Sequence, residues 1–177
     1  RSSPARKELV NLNDLVTDTL KMTEPVWRGG SRLDGEIDLR TNLGDVPPSL
    51  GNPSQIREIL TNLVLNAVDA MPHGGTLTMG TDSVDGWARI TVADTGSGMS
   101  SAVQQRIFEP FYTTKGQKGN GLGLCIVRRI VREHGGDIRI ESTPGEGSRF
   151  ILLLPETTVE EWTCPEDSTI QAAEAAD

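Results

Sequence analysis

Aromatic residues are scarce in this chain: three Trp, three Phe and one Tyr among 177 residues. A core must therefore be built from aliphatic side chains. Cysteine occurs only twice, at Cys125 and Cys164, in no metal or redox spacing. This leaves no disulfide framework and suits a reducing compartment. Cys125 lies in an apolar helical run and reads as a small core residue. Long hydrophobic runs are missing. The longest, residues 150–154, is strand-sized, far below the roughly 20 residues that span a bilayer, and no signal peptide is visible. The expected location is cytoplasmic, with any membrane anchor outside this sequence. A basic face is lacking too. Seven of the 25 acidic residues lie in residues 156–177, which leaves 18 against 17 Lys and Arg in the first 155. That balance gives no support to nucleic-acid binding.

What is present has the size of one domain and contains no internal repeat. Residues 13–24 have helical periodicity, with Pro25 as the expected stop, and residues 36–40 alternate as a strand. Residues 44–48 read as a loop. Asn52 is a good N-cap for a helix over residues 52–71, with Pro53 at its first position and Gln55 completing a variant capping box. Strands over 76–81 and 87–93 are joined by an Asp85-Gly86 hairpin turn. A short helix over 102–106, a glycine- and lysine-rich loop over 113–120 and a helix over 122–133 follow. Strands over 137–141 and 149–154 then flank a turn. This order predicts an α+β fold of two layers, one sheet with helices on one face. Residues 1–8 read as a polar lead-in to residues 9–155, and residues 156–177 as an acidic linker or disordered tail.

Three features carry chemistry. On helix 52–71, Glu58, Asn62, Asn66 and Asp69 share one face. Most such faces are merely solvated, but asparagine is a poor mid-helix choice, and its side-chain oxygen is a hard neutral ligand suited to magnesium. After strand 87–93 comes Asp94-Thr95-Gly96-Ser97-Gly98-Met99. Ordinary turns look like this, yet an ionised Asp only accepts hydrogen bonds and so suits a purine amino group. Gly116, Gly119, Gly121 and Gly123 cluster before helix 122–133. They read either as a flexible loop or as a phosphate site, since amide groups at a helix start attract anions. Lys115 and Lys118 could add charge there. The spacing is neither a P-loop nor a dinucleotide fingerprint. Phe108, Phe111 and Tyr112 stand beside the loop, as anchors for a lid or as plain core.

Together these pieces resemble the catalytic ATP-binding domain of sensor histidine kinases, within the superfamily that includes DNA gyrase and the mismatch-repair ATPases. The resemblance covers residues 9–155. An N box resembles Glu58-x3-Asn62-x3-Asn66-Ala67-x-Asp69-Ala70, and a first glycine box Asp94-x-Gly96-x-Gly98. An F box resembles Phe108-Glu109-Pro110-Phe111. A second glycine box resembles Gly119-Asn120-Gly121-Leu122-Gly123-Leu124, and the ending resembles Gly145-Glu146-Gly147-Ser148-x-Phe150. The implied fold is the Bergerat type, a mixed, mostly antiparallel sheet. The implied cofactors are ATP and Mg2+. Asn66 would ligate the metal, Asn62 would support the metal or phosphates, and Asp94 would read the adenine amino group. Gly96, Gly98 and Met99 would shape the base pocket, with Ser148 near the base. Residues 113–120 would form an ATP lid, so Thr113, Thr114, Lys115, Gly119 and Asn120 join the nucleotide contacts. Phe111, Gly121, Leu122, Gly123, Leu124 and Asp69 complete them. Asn120 stands where Thr or Ser is frequent and keeps hydrogen-bonding capacity.

Hydrolytic branches of the superfamily carry a Glu four residues before the magnesium Asn. Here that position is Asn62, which cannot act as a general base; Glu58, a turn further away, is a poorer candidate for that role. The resemblance therefore implies a kinase, with an ATPase or ATP-driven clamp, or a binding-only pseudokinase, as alternatives. His73 and His134 lack the surroundings of the family's phosphoacceptor and read as surface or cap residues. The implied partners are a dimerisation domain carrying the acceptor histidine and a response-regulator receiver domain. This part alone is expected to be monomeric and the whole kinase a homodimer.

Overall fold

The computed structural model describes residues 6–28, 34–116 and 119–157. In chain order the elements are β1 (Glu8–Val10), α1 (Leu12–Trp27), β2 (Ile37–Leu43), β3 (Ser49–Gly51) and α2 (Pro53–Ala70), then β4 (Gly75–Val84), β5 (Trp87–Asp94) and α3 (Ser101–Arg106), and finally α4 (Gly123–Glu133), β6 (Asp137–Thr143) and β7 (Gly147–Pro155). Five strands form one sheet in the order β2-β4-β5-β7-β6. Only β2 and β4 run parallel; the other neighbours are antiparallel. The two-layer, mostly antiparallel α+β arrangement is the one expected. The short strands β1 and β3 pair beside it.

Alternation decides which face of the sheet is covered. Leu77 and Met79 of β4, Ile90 and Val92 of β5, and Phe150, Leu152 and Leu154 of β7 are all buried. Against them lies α2, whose Ile56, Ile59, Leu60, Leu63, Val64, Ala67 and Val68 form one buried stripe. Its opposite face carries the polar residues. Burial of this stripe fixes where Asn62, Asn66 and Asp69 point. Truncating fully buried Leu63 to Ala would cost about 2–5 kcal/mol.

Several boundaries differ from the sequence reading. Helix α1 is capped by Asn11, whose side chain accepts from the amides of Asn13 and Asp14, and it continues past Pro25 to Trp27. A proline in the last turn removes one backbone bond only. The buried Trp27 indole, which donates to the Leu20 carbonyl at 3.2 Å, holds that turn closed. The capping box of α2 is half made. Asn52 accepts from the Gln55 amide at 2.9 Å, but the Gln55 side chain reaches Glu133 instead. The Asn52 amide donates to His134 Nε2 at 3.0 Å. His134 does cap α4, yet it is buried rather than on the surface. Cys125 is half-buried rather than core. The Asp85-Gly86 turn forms as expected, both residues at positive φ, 51° and 79°, matching a two-residue hairpin. The acidic tail lies outside the described residues, apart from Glu156 and Thr157, whose amides donate to the Gly86 and Pro48 carbonyls. Glu8, placed in the lead-in, is already in β1.

Candidate functional site

One face of α2, the turn after β5 and the segment running into α4 enclose a cavity of about 670 Å³. That volume falls within the ~300–1,000 Å³ of small-molecule sites.

At one end α2 presents Asn62, Asn66 and Asp69 to the cavity. The Lys115 ammonium donates to Asn66 Oδ1 at 2.9 Å and to Asp69 Oδ2 at 2.6 Å. A cation is thus already seated on these two oxygens, so the donor set fits one. Among the described residues no group of three or more His, Cys, Asp or Glu could hold a metal. A magnesium ion here would rely on the amide and carboxylate of α2 and on oxygens of its own ligand, which suits its reluctance to shed water. Asn62 Nδ2 donates to the Glu58 carbonyl at 2.9 Å. Its Oδ1 then faces Gly123, where an added Cβ would stand 2.8 Å away. The Glu58 side chain, a catalytic candidate in the sequence though a poor one for a general base, does not line the cavity. Its position a full turn before Asn62 carries it past the end of the cavity.

At the other end lies Asp94, the last residue of β5, 8% exposed. Burial raises its carboxyl pKa, opposed by hydrogen bonds from the amides of Gly96 and Ser148. The Gly96 amide donates to Oδ1 at 2.8 Å, and an ionised carboxylate keeps further lone pairs with which to accept. Ser97, Gly98, Met99 and Ser148 line the cavity around it. Gly96 does not. Its backbone lies against the end of α2, where a Cβ would be 2.4 Å from the Ala70 carbonyl, so it seats the turn rather than the contents of the cavity. Gly98 is needed on two counts: its φ is +64°, and a Cβ would be 1.9 Å from the Thr143 carbonyl.

Between the two ends run Thr113, Thr114, Lys115, Gly119, Asn120, Gly121, Gly123 and Leu124, all lining the cavity. No side chain caps the first turn of α4, so its amide groups are left for an anion. Leu122 lies off the cavity as the residue preceding α4; its amide donates to Asn120 Oδ1 at 3.2 Å. Phe111 is also displaced from its expected place. Its ring is 75% exposed, because a φ of +66° turns it outward while its amide donates to the Gly121 carbonyl at 3.0 Å. The anchors are Phe108 and Tyr112, which pack against the core beneath the guanidinium groups of Arg128 and Arg106. Lys118 falls outside the described residues. The sequence reading missed Leu65, Ala70, Ser97, Ile107, Tyr112 and Phe150 as lining residues. Of these, Phe150 was within reach, because it shares a strand face with Ser148.

Residues 51–158 match the family described as histidine kinase-, DNA gyrase B- and HSP90-like ATPase. Sensor histidine kinase ZraS of Escherichia coli O157:H7 is 35% identical over 168 residues, covering 84% of this chain and 36% of that protein. Sporulation kinase C of Bacillus subtilis (strain 168) is 43% identical over 105 residues, covering 59% of this chain and 24% of that protein. The chain therefore spans about a quarter to a third of these curated relatives. Among solved structures, the catalytic domain of histidine kinase ThkA superposes with a TM-score of 0.75 at 29% identity, covering 86% of this chain and 97% of that one. Full-length ShkA in complex with AMPPNP superposes with a TM-score of 0.77 at 27% identity, covering 90% of this chain and 33% of that one.

Proposed function

This chain belongs to the histidine kinase-, DNA gyrase B- and HSP90-like ATPase family, and we propose that it is the ATP-holding catalytic domain of a two-component sensor histidine kinase. The observation that carries this reading is that one cavity holds both a buried acceptor, Asp94, and a cation-holding pair, Asn66 and Asp69. The adenine amino group would donate to Asp94, and the triphosphate would lie along the start of α4. Asn66, with Asp69 behind it, would hold Mg2+, which when bound neutralises phosphate charge and stabilises the transferred group. Thr113, Thr114, Lys115, Gly119, Asn120, Gly121 and Gly123 would flank the phosphates, and Gly98, Met99 and Ser148 the base.

Asn62 favours transfer over hydrolysis. Its amide has no basicity with which to activate water, and its Nδ2 is engaged on the Glu58 carbonyl. Neither histidine of this chain suits the role of phosphoacceptor. His134 is buried with both ring nitrogens hydrogen-bonded, and His73 stands in the turn between α2 and β4, off any helix and followed by two glycines rather than an acidic residue. The acceptor would be a histidine on the dimerisation domain of the same kinase, from which the phosphoryl group passes to a response-regulator receiver domain. On this reading the present chain is monomeric, the whole kinase is a homodimer, and no nucleic acid takes part. A cytoplasmic site for this domain goes with its use of ATP; among the described residues no helix is long and apolar enough to cross a membrane.

The test is incubation with ATP labelled at the γ-phosphate, with and without a separately supplied histidine-bearing dimerisation domain from a related kinase. We expect acid-labile label on the supplied histidine and none on this chain. Phosphate release equally fast without the supplied domain would favour the ATPase reading. Stable label on His73 or His134 would contradict the assignment of the acceptor.

A further inference from the structure

Behind the base end of the cavity lies a hydrogen-bonded group that the assignments above do not use. Ser142 of β6 stands opposite Ser148 of β7 in the sheet register, and Ser148 stands opposite Asp94 of β5. Ser142 Oγ accepts from the Met99 amide at 2.8 Å. It donates to the Gly147 carbonyl at 2.9 Å and lies 2.9 Å from Ser148 Oγ.

A hydroxyl has one proton and two lone pairs. The Gly147 carbonyl can only accept, so the Ser142 proton is committed to it. One Ser142 lone pair is taken by the Met99 amide. The remaining lone pair can meet Ser148 only if Ser148 donates. The Ser148 proton is therefore held toward Ser142, and its own lone pairs remain for the cavity it lines. Gln104 fixes the frame: its Nε2 donates to the carbonyls of Met99 and Ser142, both at 2.9 Å, which uses both protons of the amide.

We propose that Ser142, held by Gln104, is a positioning residue for base selectivity: it sets the Ser148 hydroxyl so that Ser148, like Asp94, presents only acceptors to the cavity. An adenine amino group meets two acceptors there, Asp94 and Ser148. The keto oxygen of guanine meets the same two acceptors. This rests on the adenine-binding reading above and adds to it the residue that keeps Ser148 from adapting to guanine.

The experiment is calorimetric titration of the chain with ADP and with GDP, both with magnesium. Ser142→Ala removes the acceptor for the Ser148 proton and leaves that hydroxyl able to turn and donate to guanine. The ADP-over-GDP preference should fall about two- to tenfold, the scale of one hydrogen bond, through tighter GDP as well as weaker ADP binding. Ser142→Thr retains the hydroxyl and should keep the wild-type preference. In the Ser148→Ala background, adding Ser142→Ala should change the preference no further. A purely structural role would weaken both nucleotides equally and leave the ratio unmoved, and that result overturns the proposal. Should Ser142→Ala fail to fold, Ser148→Ala carries the test alone, with the same fall expected and an unchanged ratio contradicting it. If the wild-type chain binds neither nucleotide, or both equally, the adenine reading itself fails, an outcome distinct from a wild-type preference that survives Ser142→Ala.

Discussion

Replacing Lys115 by Met should make nucleotide binding respond to less magnesium. The ammonium lies on Asn66 Oδ1 and Asp69 Oδ2 at 2.9 and 2.6 Å, the two oxygens assigned here to the divalent cation. One site cannot hold both cations at these distances, so magnesium must displace the ammonium. The side chains of Lys115 and Asp69 are 37% and 42% exposed, and the pair is screened by solvent accordingly. Pairs of this kind contribute roughly 0.2–1 kcal/mol, which converts to about a 1.4- to 5-fold competition. Methionine keeps much of the length and apolar stem and removes the charge. The assay is ADP binding by calorimetry across a magnesium series, read as the midpoint of the magnesium dependence. ADP is preferred to ATP because it limits the loss of lysine–phosphate attraction at the far end of the chain of phosphates. The midpoint should fall by up to about fivefold, with the difference shrinking in high salt as screening takes over. A midpoint that stays put or rises would refute the competition and leave Lys115 a phosphate ligand only.

Nucleotide affinity should decline on acidification from a higher pH than an exposed aspartate would give. Burial lifts the Asp94 carboxyl pKa above 3.8, and only the ionised form accepts at both oxygens; calorimetry from pH 7 downward checks this, and a flat profile to pH 4 would contradict it. Fold stability should drop as the pH falls below about 6.5, because burial depresses the His134 pKa from 6.5 and protonation removes the Nε2 acceptor from the Asn52 amide. The stabilisation is fully present above 6.5 and is lost as the pH falls through the lowered value; urea unfolding should show that slope in the wild type and lack it in His134→Gln. Gly98→Ala should destabilise the fold by on the order of 1–3 kcal/mol from its positive φ alone, with the contact at the Thr143 carbonyl adding to it; unchanged urea unfolding would contradict the fit.

The elements legible in the sequence were those that periodicity or punctuation marks strongly. The apolar stripe of α2 and the Asp85-Gly86 hairpin fall in this class, as do the glycines that end α4. Strands β1 and β3, three residues each, are too short to alternate and exist because the rest of the fold brings them together. Pro25 reads as a stop, but a buried Trp27 two residues later outweighs a single missing amide. In the cavity, the spacing of Asn62, Asn66 and Asp69 was readable because a helix makes positions i, i+4 and i+7 neighbours. Phe111 was misplaced because its direction depends on a positive φ, which sequence does not declare for an aromatic residue. Ser142 and Gln104 were invisible for a different reason. Their importance lies in hydrogen bonds across strands and between α3 and β6, contacts that no local pattern encodes.

The central claim is that Asp94 holds an adenine amino group at the base end of the cavity. Titrating the wild-type chain and Asp94→Asn with ATP and magnesium tests it most directly. The substitution preserves shape, and its Oδ1 can still accept the Gly96 amide that now bonds Asp94 at 2.8 Å. That orientation turns the new NH2 group toward the adenine amino group, donor against donor. One saturable site in the wild type, weakened at least tenfold in Asp94→Asn with the unfolding midpoint unchanged, is the expected result. No binding by the folded wild-type chain, or equal affinity in both, would contradict the account.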